Sequence, residues 1–446
     1  MTPKAQRACT ICVFIFGIAF ALLLPPFQSP DEPNHFLRAY QVSEGHFFPE
    51  KKSESGFYRL GGTLPLSLAQ ACDSFAFLKN DYAARLSPKH LSKAFAAPLQ
   101  PEQRAFLDFA NTAIYAPTAY LPQAAAIALL RSLGASPLQM LYAARLANLL
   151  IWWLLVLASI RILPFGQWVF AALALLPASL VMAASTNADV LTNGLCAWFV
   201  AAALARKWVL VRAFAFAAAC ANKLIVWPLG VLTLGMRKPR SWPFASLLVG
   251  LFAALIWGAW ASDWFVPWDA YAPAFRHTQT LNAGVDPARQ WAFVAENPVF
   301  FLKIASKSAL NAAPSTAAHF VGKFGWEKNY LPAGWLFLLW AALAGLLFSE
   351  KNPLSLRQRA LLMGLVLAYC LGFALTMYAL WCPVGAPTLS NWQGRYFVPI
   401  APVLAFALLN GRGARWRVPF AWVAVATFFG GNVAMLWAIW ERYWAV

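Results

Sequence analysis

The stretch SPDEPNHF, residues 29–36, sets two adjacent carboxylates, Asp31 and Glu32, four and three residues ahead of His35. Such a group suits a general base for a hydroxyl, or oxygen ligands for a hard divalent ion such as Mg²⁺ or Mn²⁺. The plainer alternative is a solvated loop in which Asp31 caps a helix opened by Pro33. Asp189 is a lone acid in the apolar sequence MAASTNADVLTNGL. Acids near a membrane are costly and commonly functional, though a helix cap would also account for it. Lys223 interrupts an apolar run, where an ammonium meets a lipid phosphate or snorkels to headgroups. Arg395, with Tyr396 beside it in NWQGRYFVP, offers a planar fork that matches a phosphate, or an interfacial anchor.

The elements that hold these residues are set by composition. Of 446 residues, 61% are hydrophobic and only 12% charged, with 22 Trp, which excludes a soluble globular chain. The net charge of +18 does not mark a nucleic-acid partner, because the basic residues gather in short loops between apolar runs, as membrane orientation requires. Lys4 and Arg7 precede the first apolar run and no small-x-small cleavage site follows, so it reads as an uncleaved first helix. The seven cysteines show no metal-type pairing. Cys72 and Cys382 both fall in expected outer segments, where a disulfide is one option and free thiols the other.

A span takes about 20 apolar residues and its cytoplasmic end collects Lys and Arg. With the N-terminus inside, residues 11–24 run outward and 25–140 form a long outer segment. Runs 141–163, 166–183 and 190–205 then go in, out and in. A short hairpin over 209–236 turns outside at Asn222 and Lys223 and returns Arg237, Lys238 and Arg240 to the inside. Run 242–261 leads out to a second outer segment, 263–330, with surface helices expected around DPARQWAFVAENPVFFLKIASKSAL. Runs 331–348, 360–380, 398–409 and 420–440 finish an all-α, single-domain chain of eleven spans. Within the first outer segment, Pro117 and Pro122 cut the apolar piece 111–132 too short to cross, so it is expected to lie at the interface. This topology leaves 15 of the 35 Lys and Arg inside with one carboxylate, Glu350, and every other acid outside. A transporter or flippase of a lipid-linked saccharide is the competing reading. It would place ionisable groups at mid-membrane, whereas Asn148 is among the few polar residues deep in a span here.

Three motifs carry a resemblance: PDEPNHFLRAYQVSEG after the first span, the STNAD turn, and QGRYFVPIAP near the C-terminus. From about residue 26 to 402 the chain resembles a bacterial family of membrane proteins grouped with the GT-C glycosyltransferases. The resemblance implies a GT-C-like fold and transfer of a sugar from a polyprenyl-phosphate carrier to a glycan, lipid or protein acceptor. The reaction would occur on the outer face of the cytoplasmic membrane, with membrane lipids as partners and no nucleic acid. It maps the family's acidic pair onto Asp31 and Glu32 as catalytic groups, and a second acid onto Asp189. A lysine between two short helices maps onto Lys223. His35, Arg38, Arg395 and Tyr396 are expected to bind substrate, and Asp31 with Asp189 to hold a divalent metal if one is used.

Overall fold

The computed structural model describes residues 1–235, 244–278, 282–326 and 329–445. The expected inner residues Arg237, Lys238 and Arg240, and the start of the 242–261 run, lie outside those described. Among the described residues five helical runs are long and apolar enough to cross a bilayer: Pro3–Leu23, Pro137–Ile162, Ala245–Ser262, Leu356–Trp381 and Ala414–Tyr443. The shorter apolar helices Asp189–Ala205, Val209–Asn222, Leu224–Leu234 and Ala333–Ser349 accompany them.

Local sequence accounts for the boundaries near the site. The first helix stops at Leu23 because Leu24 precedes Pro25 and is turned to an extended conformation, φ −68°, ψ 119°. Ser136 and Gln139 form a capping box at the start of Pro137–Ile162, and Ser355 and Gln358 repeat it at Leu356–Trp381. The helix Val209–Asn222 ends at Lys223, whose backbone is extended at φ −147°, ψ 107°; a 3-10 stretch with Pro228 inside it follows. This is the break expected at Asn222 and Lys223.

Two expected spans depart from straight helices. Run 166–183 is split into Gln167–Ala174 and Pro177–Ala183, since Leu176 must leave the helical region ahead of Pro177. Run 398–409 is helical only over Ala401–Leu408, behind a 3-10 turn at Gly394–Phe397. Eight residues rise about 12 Å, well under half of a hydrocarbon core of about 30 Å.

The chain is nearly all-α, as expected, with one addition. The first outer segment folds a three-stranded antiparallel sheet, β1 (Glu50–Glu54), β2 (Phe57–Pro65) and β3 (Arg104–Asp108), in that order. Ser55 and Gly56 close the β1–β2 hairpin, both at positive φ, as a two-residue hairpin turn demands. Nothing in the apolar pattern announces β1, because EKKSE is exposed throughout.

The sheet joins the two segments expected outside the membrane. Tyr271 donates its hydroxyl to Asp108 and accepts from the Leu60 amide at 3.0 Å, while the Ala272 amide donates to the Tyr58 carbonyl at 2.9 Å. Arg59 pairs with Asp108 at 2.6 Å and covers the Phe275 ring at 3.7 Å. The second outer segment carries the expected helices, Pro287–Glu296 and Pro298–Gly322. Piece 111–132 is broken as its prolines require, into Ala110–Ala113, a 3-10 turn Pro117–Tyr120, and the helix Leu121–Ser132 packed on Pro137–Ile162. All seven cysteines are free, Cys72 and Cys382 included.

Candidate functional site

Asp31 is the residue before the helix Glu32–Ser43, and its backbone is left-handed at φ 61°. That conformation is costly for a residue with a Cβ and concentrates at functional sites. Its carboxylate makes no capping bond to the helix, so capping does not account for it. It reaches instead to Arg395 at 3.3 Å, joining residues 364 positions apart.

Beside this pair lies a second one. Asp189 opens the helix Asp189–Ala205 without capping it and takes the Lys223 ammonium at 2.5 Å. The STNAD turn is built to present it. The Asn148 amide donates to the Ser185 and Asn187 carbonyls at 2.8 and 3.1 Å, and the Asn187 side chain accepts from the Asp189 amide at 2.8 Å. The polar residue noted deep in a span therefore braces this turn. Lys223 is fixed through its neighbour Asn222, which accepts from Thr118 at 2.7 Å and donates to Thr192 at 3.2 Å. Its ammonium stands 5.2 Å from the Tyr396 ring centre and 5.9 Å from that of Tyr115. The Arg395 guanidinium lies 5.2 Å over the same Tyr396 ring.

The glycine of the QGRYF motif has a packing role. A Cβ on Gly394 would stand 2.3 Å from the Phe320 backbone nitrogen, so only glycine lets this turn lie against the helix Pro298–Gly322 and deliver Arg395. Tyr369 holds the turn from the other side, its hydroxyl donating to the Tyr396 carbonyl at 2.6 Å.

His35, one helical turn beyond Asp31, shares a 2.8 Å hydrogen bond between Nδ1 and the Tyr120 hydroxyl. Burial pushes its pKa down to about 4; Asp31 and Asp189 pull it upward, and Arg395 and Lys223 downward. The imidazole is neutral at pH 7. Burial pushes the Tyr115 phenol up to about 12, so it too is neutral. Asp31, His35, Asp189, Lys223, Arg395 and Tyr396, spread over the whole sequence, thus form one cluster.

Glu32 and Arg38 do not share it. Glu32 is fully buried and gripped by Arg145 through two bonds of 2.8 and 2.6 Å, with a third from the Thr186 amide at 3.2 Å. Arg38, also fully buried, is spent on Gln41 and on the Phe47 and Tyr115 carbonyls. Both head groups are engaged inside the protein, away from the Asp31–Arg395 and Asp189–Lys223 pairs. Sequence reasoning passed over Arg145, although a charged residue in the run LYAARLANLL was a signal to follow. Tyr115 and Tyr120 gave none, being aromatic residues in an aromatic-rich chain.

A cleft opens on Arg395, lined also by Ser29, Asn187, His319, Lys323 and Gln393. The donor set does not fit a divalent ion. Among the described residues no three His, Cys, Asp or Glu side chains converge, and Asp31 and Asp189 are each already matched by a cation. The chemistry available is an acid with one oxygen engaged, beside two cations in a half-buried setting. Asp31 is the open member: its side chain is 35% exposed against 6% for Asp189.

The profile of a family described as predicted membrane protein, DUF2142, matches residues 14–404, which takes in the PDE, STNAD and QGRYF motifs together. The chain belongs to this family. It is a multi-pass membrane protein. No curated protein and no solved structure matches the chain.

Proposed function

We propose that this DUF2142 protein is a GT-C-like glycosyltransferase of the bacterial cytoplasmic membrane. It moves a sugar from a polyprenyl-phosphate carrier to an extracytoplasmic acceptor such as a surface glycan. The observation that carries the reading is the Asp31–Arg395 pair. A strained carboxylate that declines to cap its helix, and is held by an arginine suited to phosphate, is an arrangement that structure alone has no need of.

The pairing suggests how the donor readies the base. A lipid phosphate entering the cleft competes with Asp31 for Arg395, and its charge is shared with Lys223. Asp31 is then released with its charge unmatched. It takes the proton of the acceptor hydroxyl as that oxygen bonds to the anomeric carbon, while the bond from that carbon to the phosphate oxygen breaks on the opposite face. The electron pair leaves with the lipid phosphate, where Arg395 and Lys223 offset the growing charge, and the anomeric configuration inverts. Asp189 keeps Lys223 in place and lowers the cost of burying it. No metal enters this scheme, since both acids are spoken for by cations.

The test is sugar release from a panel of synthetic polyprenyl-phosphate sugars by purified protein. Asp31→Asn is expected to cut turnover about 10²- to 10³-fold, the usual scale for one such electrostatic contact, while still binding donor lipid. Turnover by Asp31→Asn equal to that of the unmodified protein would remove the base. Facilitated passage of the lipid across vesicles without any release would return the protein to the transporter class.

A further inference from the structure

A trough runs from the Arg395 cleft across the molecule's outer part, between the helix Pro298–Gly322 and the loop 388–393. The helix contributes Asn311, Ser315 and His319, and the loop contributes Ser390, Asn391 and Gln393. His319, Lys323 and Gln393 line both the trough and the cleft, so the two are continuous. The elements of the reaction scheme leave this surface without a task.

Its chemistry is distinctive. Amides and hydroxyls stand on both walls with His319 and Lys323, Trp392 adds an aromatic edge, and no carboxylate lines it among the described residues. Two features mark it as built rather than incidental. Asn391 holds a left-handed backbone at φ 63°, which asparagine takes up more readily than other residues with a Cβ, and its side-chain oxygen accepts from Gln393 at 2.5 Å. His319 Nδ1 and Trp392 Nε1, on two residues that line the trough, are buried polar atoms with no hydrogen-bond partner among the described residues. Buried polar groups are ordinarily paired, and unpaired ones gathered along one trough call for a ligand or ordered water.

We propose that this trough is the subsite for the acceptor, a hydroxyl-rich oligosaccharide, which it delivers reducing or non-reducing end first to Asp31; the assignment rests on the glycosyl-transfer reading above. Neutral amides and hydroxyls exchange hydrogen bonds with sugar hydroxyls without the desolvation cost of an ion, and an aromatic edge packs on the apolar face of a pyranose. The lack of a carboxylate among the described lining residues also lets an acidic sugar enter.

The experiment measures binding of short oligosaccharides of glucose, mannose and N-acetylglucosamine to the full-length protein in detergent, without donor. Binding of a polyprenyl-phosphate sugar is measured in parallel. Asn311→Ala combined with Asn391→Gly, which removes both amides and keeps the left-handed backbone, is expected to weaken oligosaccharide binding roughly tenfold. Donor affinity should hold. An unchanged thermal melting profile shows that the variant is folded. If no oligosaccharide binds the unmodified protein, or the variant binds it equally well, the trough is not an acceptor site. If donor affinity falls in step with oligosaccharide affinity, the trough holds the donor's sugar and the acceptor assignment fails. Sugar release to water by the unmodified protein is scored separately, so loss of the trough and loss of glycosyl transfer are told apart.

Discussion

His35 shows what the cluster costs the folded state. Its ring is buried, feels the charges of the Asp31–Arg395 and Asp189–Lys223 pairs, and is held neutral down to about pH 4. In the unfolded chain it would titrate near its ordinary value of about 6.5. Between these limits the unfolded state binds a proton that the native state refuses, so stability is complete above pH 6.5 and drains as pH falls toward 4. The size is about 3 kcal/mol by linkage. His319, also pushed down to about 4 by burial, acts in the same direction. Thermal melts in detergent across this range should therefore show a shallower acid loss for His35→Gln than for the unmodified protein, with His319 supplying the remainder. Parallel pH slopes for the two proteins would show that His35 is not the sensor.

At the scale of elements, the Arg145–Glu32 pair is what places Asp31. Arg145 also donates to the Ala21, Leu24 and Pro25 carbonyls, so one side chain closes the first helix, grips the residue after Asp31 and, through Glu32 and the Thr186 amide, reaches the STNAD turn. Removing one member of a fully buried pair strands the other, which costs about 3–5 kcal/mol. Arg145→Met and Glu32→Gln should each destabilise on that scale, and the double variant should lose clearly less than the two together; simple additivity would mean that the pair is not coupled. The sequence made several ends of the elements readable, since prolines 117 and 122 and the break at Lys223 act locally, whereas the split that Pro177 makes in run 166–183 was passed over. It also exposed Asp31, Asp189, Lys223 and Arg395, each a charge out of place beside apolar sequence. It did not separate Asp31 from Glu32. Adjacent acids look alike as letters, and only the left-handed turn sends one to Arg395 and the other into the core. The sheet was hidden for a related reason: EKKSE pairs through its backbone and carries no burial pattern.

The molecule as a whole has two chemically different ends. At one, the loops after Ile162, Ser349 and Leu408 meet: Glu350 accepts from the Trp168 and Val169 amides, Asn352 donates to the Phe406 and Leu409 carbonyls, and Gly413 donates to the Phe348 carbonyl. This end carries Arg161, Lys351, Arg357, Arg359, Arg412, Arg415 and Arg417, and the amino terminus is close enough for its charge to act on Glu350. The opposite ends of the same helices carry Asp31, Asp189 and Arg395. Among the described residues Glu350 is the acid at this basic end, and under the positive-inside rule the proposed orientation puts it in the cytoplasm and the cluster on the outer face, where the proposed reaction needs it. The orientation is open to a direct check by placing single cysteines at exposed positions: Ser92→Cys in the first outer segment and Arg357→Cys at the basic end. In intact spheroplasts a membrane-impermeant thiol reagent should label the first and spare the second until the membrane is permeabilised. The native cysteines, buried or half-buried, set the background. The reverse pattern would put Asp31 in the cytoplasm, and an extracytoplasmic acceptor could then no longer be its substrate, whatever the geometry of the site.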